Sequence, residues 1–323
     1  MSITYLEAIR EAQANALRDD PRVYIYGQDV AALGGAFKAT KNLAQEFPGR
    51  VLDSPISEDA MVGSAIGAAI EGMRPIVEMQ FADFSSVAFT QIVNQAATLF
   101  WRTQVPCPIT IRLPSGGNPG GGPFHSQNLE SLYAHFPGLV VMTPGTVEDA
   151  YTMLVEAVEI DDPVIFCEHK YLYNRLKVDS LPDPNTGLPC GKARVARQGR
   201  DLTIVAYGVM VQEALTAAKL LSQEHIEAEI VDLRSVKPID LGTVLASVAR
   251  TARLLCVGES FPWGGVNAEI IAAVATHGFH LLDAPPVRIN SKDTPVPYHP
   301  NLWNVHKPSS QVIVKTARQL LHW

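Results

Sequence analysis

Short β-rich runs alternate with amphipathic helical patterns along almost the whole chain, and that alternation leaves few folds open. Segments 23–26, 50–52, 75–79, 109–113, 139–142 and 164–167 read as buried strands. Between them, 58–72, 85–102 and 147–160 carry helical periodicity, each entered from Ser, Asp, Thr or Pro as cap chemistry requires. The pattern lapses over 177–200, where Pro182, Pro184, Asn185, Gly187, Pro189 and Gly191 break any regular element. It then resumes with strands at 202–206, 228–232, 254–258 and 287–289 and helices at 211–222, 241–248, 265–276 and 310–321. This is βαβ bookkeeping with mainly parallel sheets. It predicts an α/β protein of two three-layer α/β/α domains, 1–176 and 201–323, joined by a linker at 177–200.

A chain of 323 residues is about twice a typical domain, in keeping with that division. Its 18% charged residues fall below the usual share of about 25%, so much of its surface is expected to be covered. The formal net charge of -7, with no basic run to track phosphates, argues against a nucleic-acid partner. No apolar stretch approaches the roughly 20 residues that cross a bilayer, the longest clean run near the C-terminal helices being 270–276. The first helical segment, 3–18, sets Leu6, Ile9, Ala12 and Leu17 near one face but also carries Glu7 and Glu11. It therefore has neither a signal peptide's apolar core nor an acid-poor transit pattern, and a cytoplasmic location is expected. Four widely spaced cysteines, Cys107, Cys167, Cys190 and Cys256, suit buried thiols in a reducing compartment.

Three features carry candidate chemistry. The run 114–123 reads PSGGNPGGGP and follows a strand, the place where parallel sheets put ligands; it is either a loop whose backbone approaches a ligand or a mobile surface loop. It matches neither a phosphate loop nor a dinucleotide fingerprint. Glu58 and Asp59 enter a helix that is otherwise apolar or small. Two carboxylates there can simply complement the helix dipole. Alternatively, Glu58 is partly desolvated against Val62, Gly63 and Ile66, which suits proton exchange with a bound heterocycle. His125 follows the Gly-rich run and precedes Ser126 and Gln127, either as a helix-entry residue or as a proton-exchanging group. Met79, Phe81, Phe84 and Phe89 are core or pocket lining. No G-x-S-x-G elbow is present, and the nine histidines form no H-E-x-x-H or H-x-x-x-H pair.

Taken in order, the segments 55–58 (PISE), 79–84 (MQFADF), 111–117 (IRLPSGG), 125–127 (HSQ), 232–234 (DLR) and 293–295 (DTP) are more specific than any one of them. Together they closely resemble the β chain of the thiamine-diphosphate-dependent 2-oxo acid dehydrogenases, the group that includes the pyruvate, branched-chain and acetoin enzymes. The likeness spans essentially the whole chain. It implies an N-terminal thiamine pyrimidine-binding domain and a C-terminal transketolase-type domain, in a heterotetramer of two α and two β chains. The family's diphosphate and Mg²⁺ are held by a GDG motif, which this sequence lacks. The chain is therefore expected to hold the pyrimidine end of thiamine diphosphate and to need an α subunit for Mg²⁺.

Carried over residue by residue, Glu58 matches the glutamate that hydrogen-bonds the aminopyrimidine and favours its imino tautomer. His125 matches the histidine that positions or protonates the lipoyl group receiving the acyl unit, carried on an acyltransferase core. Phe84 matches an aromatic beside the pyrimidine, with Met79 and Gln80 as further contacts. The resemblance also implies a K⁺ site built mostly from backbone at Ile109, Thr110, Ala157, Ile160 and Asp162, Asp162 being its side-chain ligand. Gln28 stands where Glu is more usual, and Asn128-Leu129 departs from the usual residues after HSQ; neither is expected to touch the proton chemistry. The tail, 298–306, is less typical. The implied activity is oxidative decarboxylation of a 2-oxo acid, branched-chain or pyruvate. Acetoin cleavage, a split transketolase or carboligase without lipoyl transfer, and a noncatalytic scaffold chain are the alternatives.

Overall fold

The computed structural model describes residues 2–117 and 120–323. Asn118 and Pro119, in the Gly-rich run, lie outside the described residues. Fourteen strands occur among those described: β1 (Ile3–Thr4), β2 (Val23–Gly27), β3 (Val51–Asp53), β4 (Arg74–Glu78), β5 (Thr110–Ser115), β6 (Val140–Met142), β7 (Val164–His169), β8 (Lys177–Val178), β9 (Arg194–Arg197), β10 (Leu202–Ala206), β11 (Ala228–Asp232), β12 (Ser235–Lys237), β13 (Leu254–Val257) and β14 (Val287–Ile289). They form a seven-stranded sheet, β12-β6-β7-β5-β4-β2-β3, a five-stranded sheet, β14-β13-β10-β11-β9, and a small β1-β8 pair. All neighbours in the two large sheets are parallel except the edge strands β12 and β9. Helices flank both sheets, giving the expected α/β architecture.

Two departures from the periodicity have local causes. The interval 177–200 is not free of regular structure, because β8 pairs with β1 and β9 pairs with β11. Both are short edge strands, whose alternation is too brief to register between prolines. The single helix expected at 85–102 is instead a 3₁₀ turn (Ala82–Ser86), a π turn (Gln91–Ala96) and an α-helix (Ala97–Thr103). Ser85 and Ser86 donate through their hydroxyls to the carbonyls of Ala82 (2.6 Å) and Asp83 (2.8 Å), competing with the helical ladder.

The halves are packed into one another. β12, from the C-terminal half, completes the edge of the N-terminal sheet, and Ile9, Leu154 and Phe166 share a core cluster with Ile204, Leu221 and Ile313. The 232–234 motif has a role at this seam: Arg234 donates from Nε to Asp149 (2.9 Å), and from its terminal nitrogens to the carbonyls of Leu188 (2.8 Å) and Lys192 (2.9 Å). No described helix is long and apolar enough to cross a membrane.

Candidate active site

In a parallel sheet the loops that leave the C-terminal strand ends gather along one edge. Here Gln28 follows β2, Glu58 follows β3, Gln80 to Phe84 follow β4, and the Gly-rich loop follows β5. Glu58 opens the helix Glu58–Ile70 and is 8% exposed. The amide of Gln28 donates to its Oε1 (3.1 Å), the one side-chain donor to this carboxylate among the described residues. The expectation that the Glu-to-Gln departure at position 28 stays clear of the proton chemistry is thus corrected: residue 28 touches the candidate carboxylate directly. No sequence spacing joins positions 28 and 58; the pairing of β2 with β3 does.

Across the same edge, His125 is held between two aromatic rings. Phe81 and Phe84 meet it edge-to-face, with centroids 4.6 and 5.5 Å away. The structure thus joins Phe84 and His125, 41 residues apart by their numbering, in one cluster. Gln80 is part-exposed, its amide 3.5 Å from Asp29. Met79 is completely buried in the apolar core, its backbone N–H on the carbonyl of Arg112.

Asp83, which sequence reasoning left without a role, ties this cluster together. Its Oδ1 accepts from the backbone of Gln127 (3.2 Å), whereas its buried Oδ2 has no hydrogen-bond partner among the described residues. Burial pushes this carboxyl up in pKa, against the opposing influence of the Gln127 amide and Lys170. The Lys170 ammonium, lowered to about 8 by burial, donates to the carbonyl of Pro114 (2.9 Å) at the end of β5. The motif contained Asp83, but nothing in the sequence said that it would meet Gln127.

Three glycines of the Gly-rich loop are packed against protein, whereas Gly120 is exposed with open space beside it. A Cβ on Gly116 would stand 1.8 Å from His169, one on Gly117 2.4 Å from Trp303, and one on Gly122 2.1 Å from Tyr298. These glycines let the loop lie against the C-terminal half and the end of β7. The close approaches are to protein side chains.

Among the residues expected to hold K⁺, Thr110 and Ala157 are in direct contact. The Thr110 hydroxyl donates to the carbonyl of Ala157 (3.1 Å), the Ile109 carbonyl accepts from Val164 (2.9 Å), and that of Ile160 accepts from Arg74 (3.3 Å). Each carbonyl has a second lone pair. Asp162 is exposed at this turn. Among the described residues no three His, Cys, Asp or Glu side chains cluster as a metal site.

Glu130 lies behind the site, 3% exposed, beside a cavity shared with Cys167, His169, Tyr207 and Glu259. Burial raises its pKa from 4.5 to about 7. Between those two values the folded chain holds a proton that the unfolded chain releases, so stability falls as pH rises through that window. Glu130→Gln is therefore expected to stabilise the protein at pH 8 by on the order of 3 kcal/mol and to change little at pH 4, measured by chemical denaturation at each pH.

Comparison with known proteins adds the chain's relatives. A family model described as the transketolase pyrimidine-binding domain matches residues 1–175, and one described as the transketolase C-terminal domain matches residues 191–313. The chain is 41% identical over 326 residues to the β-2 subunit of a mitochondrial pyruvate dehydrogenase E1 component of Oryza sativa subsp. japonica, covering 98% of this chain and 86% of that one. It is also 41% identical over 322 residues to a 2-oxoisovalerate dehydrogenase β subunit of Bacillus subtilis, covering 98% of each. The same identity, over 326 residues with 97% and 96% coverage, relates it to an acetoin:2,6-dichlorophenolindophenol oxidoreductase β subunit of Cupriavidus necator. In fold it matches a solved split-gene transketolase, described as an inactive β4 tetramer, with a TM-score of 0.81 at 24% identity over 100% of this chain and 99% of that one. With both domain models matched in order and relatives aligned nearly end to end, the chain belongs to the transketolase-type E1 β subunits of the 2-oxo acid dehydrogenase complexes.

Proposed function

We propose that this chain, with an α subunit, forms a thiamine-diphosphate-dependent 2-oxo acid dehydrogenase that decarboxylates a branched-chain 2-oxo acid or pyruvate and passes the acyl group to a lipoyl arm on an acyltransferase core. The observation that carries the reading is that a buried, oriented carboxylate and an aromatic-held histidine both lie on loops at the C-terminal strand ends of one parallel sheet. The residues fit the pyrimidine end of the cofactor: Gln28 engages Glu58 Oε1 and leaves Oε2 to accept or give a proton, while Phe84, half-buried on the loop after β4, offers a ring surface at the same end of the sheet. When bound, thiamine diphosphate supplies the carbon nucleophile that the protein's side chains lack. Glu58 would hold or move the proton on the pyrimidine, with Gln80 as a further contact. Met79 would support this wall from the core behind it. His125, kept from rotating by Phe81 and Phe84, would orient the lipoyl group or protonate it.

The α subunit, in a two-α two-β heterotetramer, would supply the ligands for Mg²⁺ and the diphosphate. K⁺ would sit among the carbonyls of Ile109, Thr110, Ala157 and Ile160, with Asp162 at the rim. The domain boundaries proposed are 1–176 and 201–323, and the compartment is the cytoplasm. Acetoin is the alternative substrate, since the identity to the acetoin enzyme's β subunit equals that to the pyruvate and 2-oxoisovalerate enzymes' subunits.

In the assembled complex, His125→Ala is expected to slow reductive acylation of a free lipoyl domain by about 10²–10³-fold while decarboxylation, followed with a dye acceptor, changes less than about tenfold. Equal loss in both half-reactions would remove His125 from acyl transfer.

A further inference from the structure

We propose that Glu259, in the C-terminal domain, is a positioning residue for His125, acting through the Gly-rich loop; the functional part of this inference rests on the reading of His125 given above. Glu259 follows β13 and is buried, yet it reaches across the domain seam and uses both carboxylate oxygens there. Oε1 accepts from the backbone N–H of Gly117 (2.8 Å), and Oε2 pairs with Nε2 of His169 at the end of β7 (3.1 Å).

The other ring nitrogen of His169, Nδ1, accepts from the N–H of Tyr171 (3.3 Å), so the network assigns a proton to Nε2 and makes it a donor to Glu259. Burial opposes ionisation of Glu259, but the hydrogen bonds it accepts from His169 and the Gly117 amide, with Lys307 nearby, outweigh it and lower its pKa. The acceptor is therefore charged throughout the working pH range.

Loop geometry turns this contact into control of His125. Gly116 donates its N–H to the carbonyl of Gln127 (3.1 Å), which ties the two ends of the loop together. His125 lies two residues before that tie. Three further contacts hold the loop: Gln127 N–H on Asp83, Gly120 N–H on the carbonyl of Tyr298 (3.1 Å), and the Trp303 indole packed where Gly117 has no side chain. Glu259 is the one charged acceptor among these that comes from the other domain, and it binds next to the knot. Removing it frees the Gly117 amide and the His169 ring together, which lets the tied loop shift against the Phe81–Phe84 pair that receives His125.

The test uses the α–β complex carrying Glu259→Ala or Glu259→Gln. Amide hydrogen exchange over residues 116–127 is read alongside kinetics with a free lipoyl domain and with a dye acceptor. Gln keeps an acceptor for one of the two donors only, so exchange is expected to quicken in the order wild type, Gln, Ala, reaching about tenfold in Ala. The KM for the lipoyl domain is expected to rise by about tenfold in Ala while dye-coupled decarboxylation stays within about threefold. Exchange equal to wild type in Glu259→Ala overturns the proposal. Should Glu259→Ala not assemble, unchanged exchange in Glu259→Gln overturns it equally. A loosened loop with an unchanged KM overturns the link to His125. A loosened loop with both half-reactions slowed alike upholds the contact between Glu259 and the loop and removes the His125 reading instead.

Discussion

Glu58→Gln is expected to leave the α–β complex assembled and to lower decarboxylation of the 2-oxo acid by about 10²–10⁴-fold, the usual size of a proton-transfer contribution. The substitution is nearly isosteric, and its amide oxygen can still accept from Gln28 where Oε1 does now. What it loses is an oxygen able to take up and return a proton. If Glu58 served only the dipole of the helix Glu58–Ile70, the change would cost about 0.3–1 kcal/mol of stability and leave turnover intact. The two roles therefore separate cleanly: single-turnover decarboxylation reads the first, and a denaturation midpoint reads the second. Gln28→Ala frees the carboxylate without removing it, so a smaller loss there would mark Gln28 as the group that orients Glu58.

The second large effect lies beneath the site. Arg112 on β5 is completely buried between Glu78 on β4 and Glu168 on β7, the three side chains being 0%, 2% and 0% exposed. Its guanidinium bonds both carboxylates as well as Gln13 Oε1 (3.2 Å), and Tyr173 donates to Glu168 (2.6 Å). Two carboxylates against one guanidinium leave an excess negative charge in the core, and burial raises the pKa of Glu78 despite its partner. Arg112→Met fills the space but strands both acids, at a cost of about 3–5 kcal/mol. Glu78, which burial already raises and which would lose its partner, would hold a proton in the fold that it releases on unfolding, so the loss deepens as pH rises. Urea denaturation at pH 5 and pH 8 checks both parts; an equal loss at the two pH values would mean that packing, not charge, dominates.

Much of the scaffold could be read from the residues because parallel strands buried on both faces are near-continuous apolar runs. Strands 202–206, 228–232 and 287–289 match β10, β11 and β14 residue for residue. β9 and β12 escaped because short antiparallel edge strands carry little periodicity and their pairing depends on distant chain. The site divided along the same line. Glu58 and His125 stand out as candidates in the motifs, whereas the contacts of Gln28, Asp83 and Glu259 form between strand ends or across the domain seam. The glycines of the loop are visible as glycines, but what Gly116, Gly117 and Gly122 make room for is His169, Trp303 and Tyr298, which no local pattern supplies.

The shared-site reading is tested most directly by thiamine diphosphate binding in the presence of Mg²⁺, measured for this chain alone and after co-expression with an α subunit, followed by turnover of pyruvate and of 2-oxoisovalerate. Binding and decarboxylation only in the assembled pair are the expected result, and the preferred acid names the substrate. Tight binding by the isolated chain, or none in the pair, would contradict the division of the cofactor between two subunits.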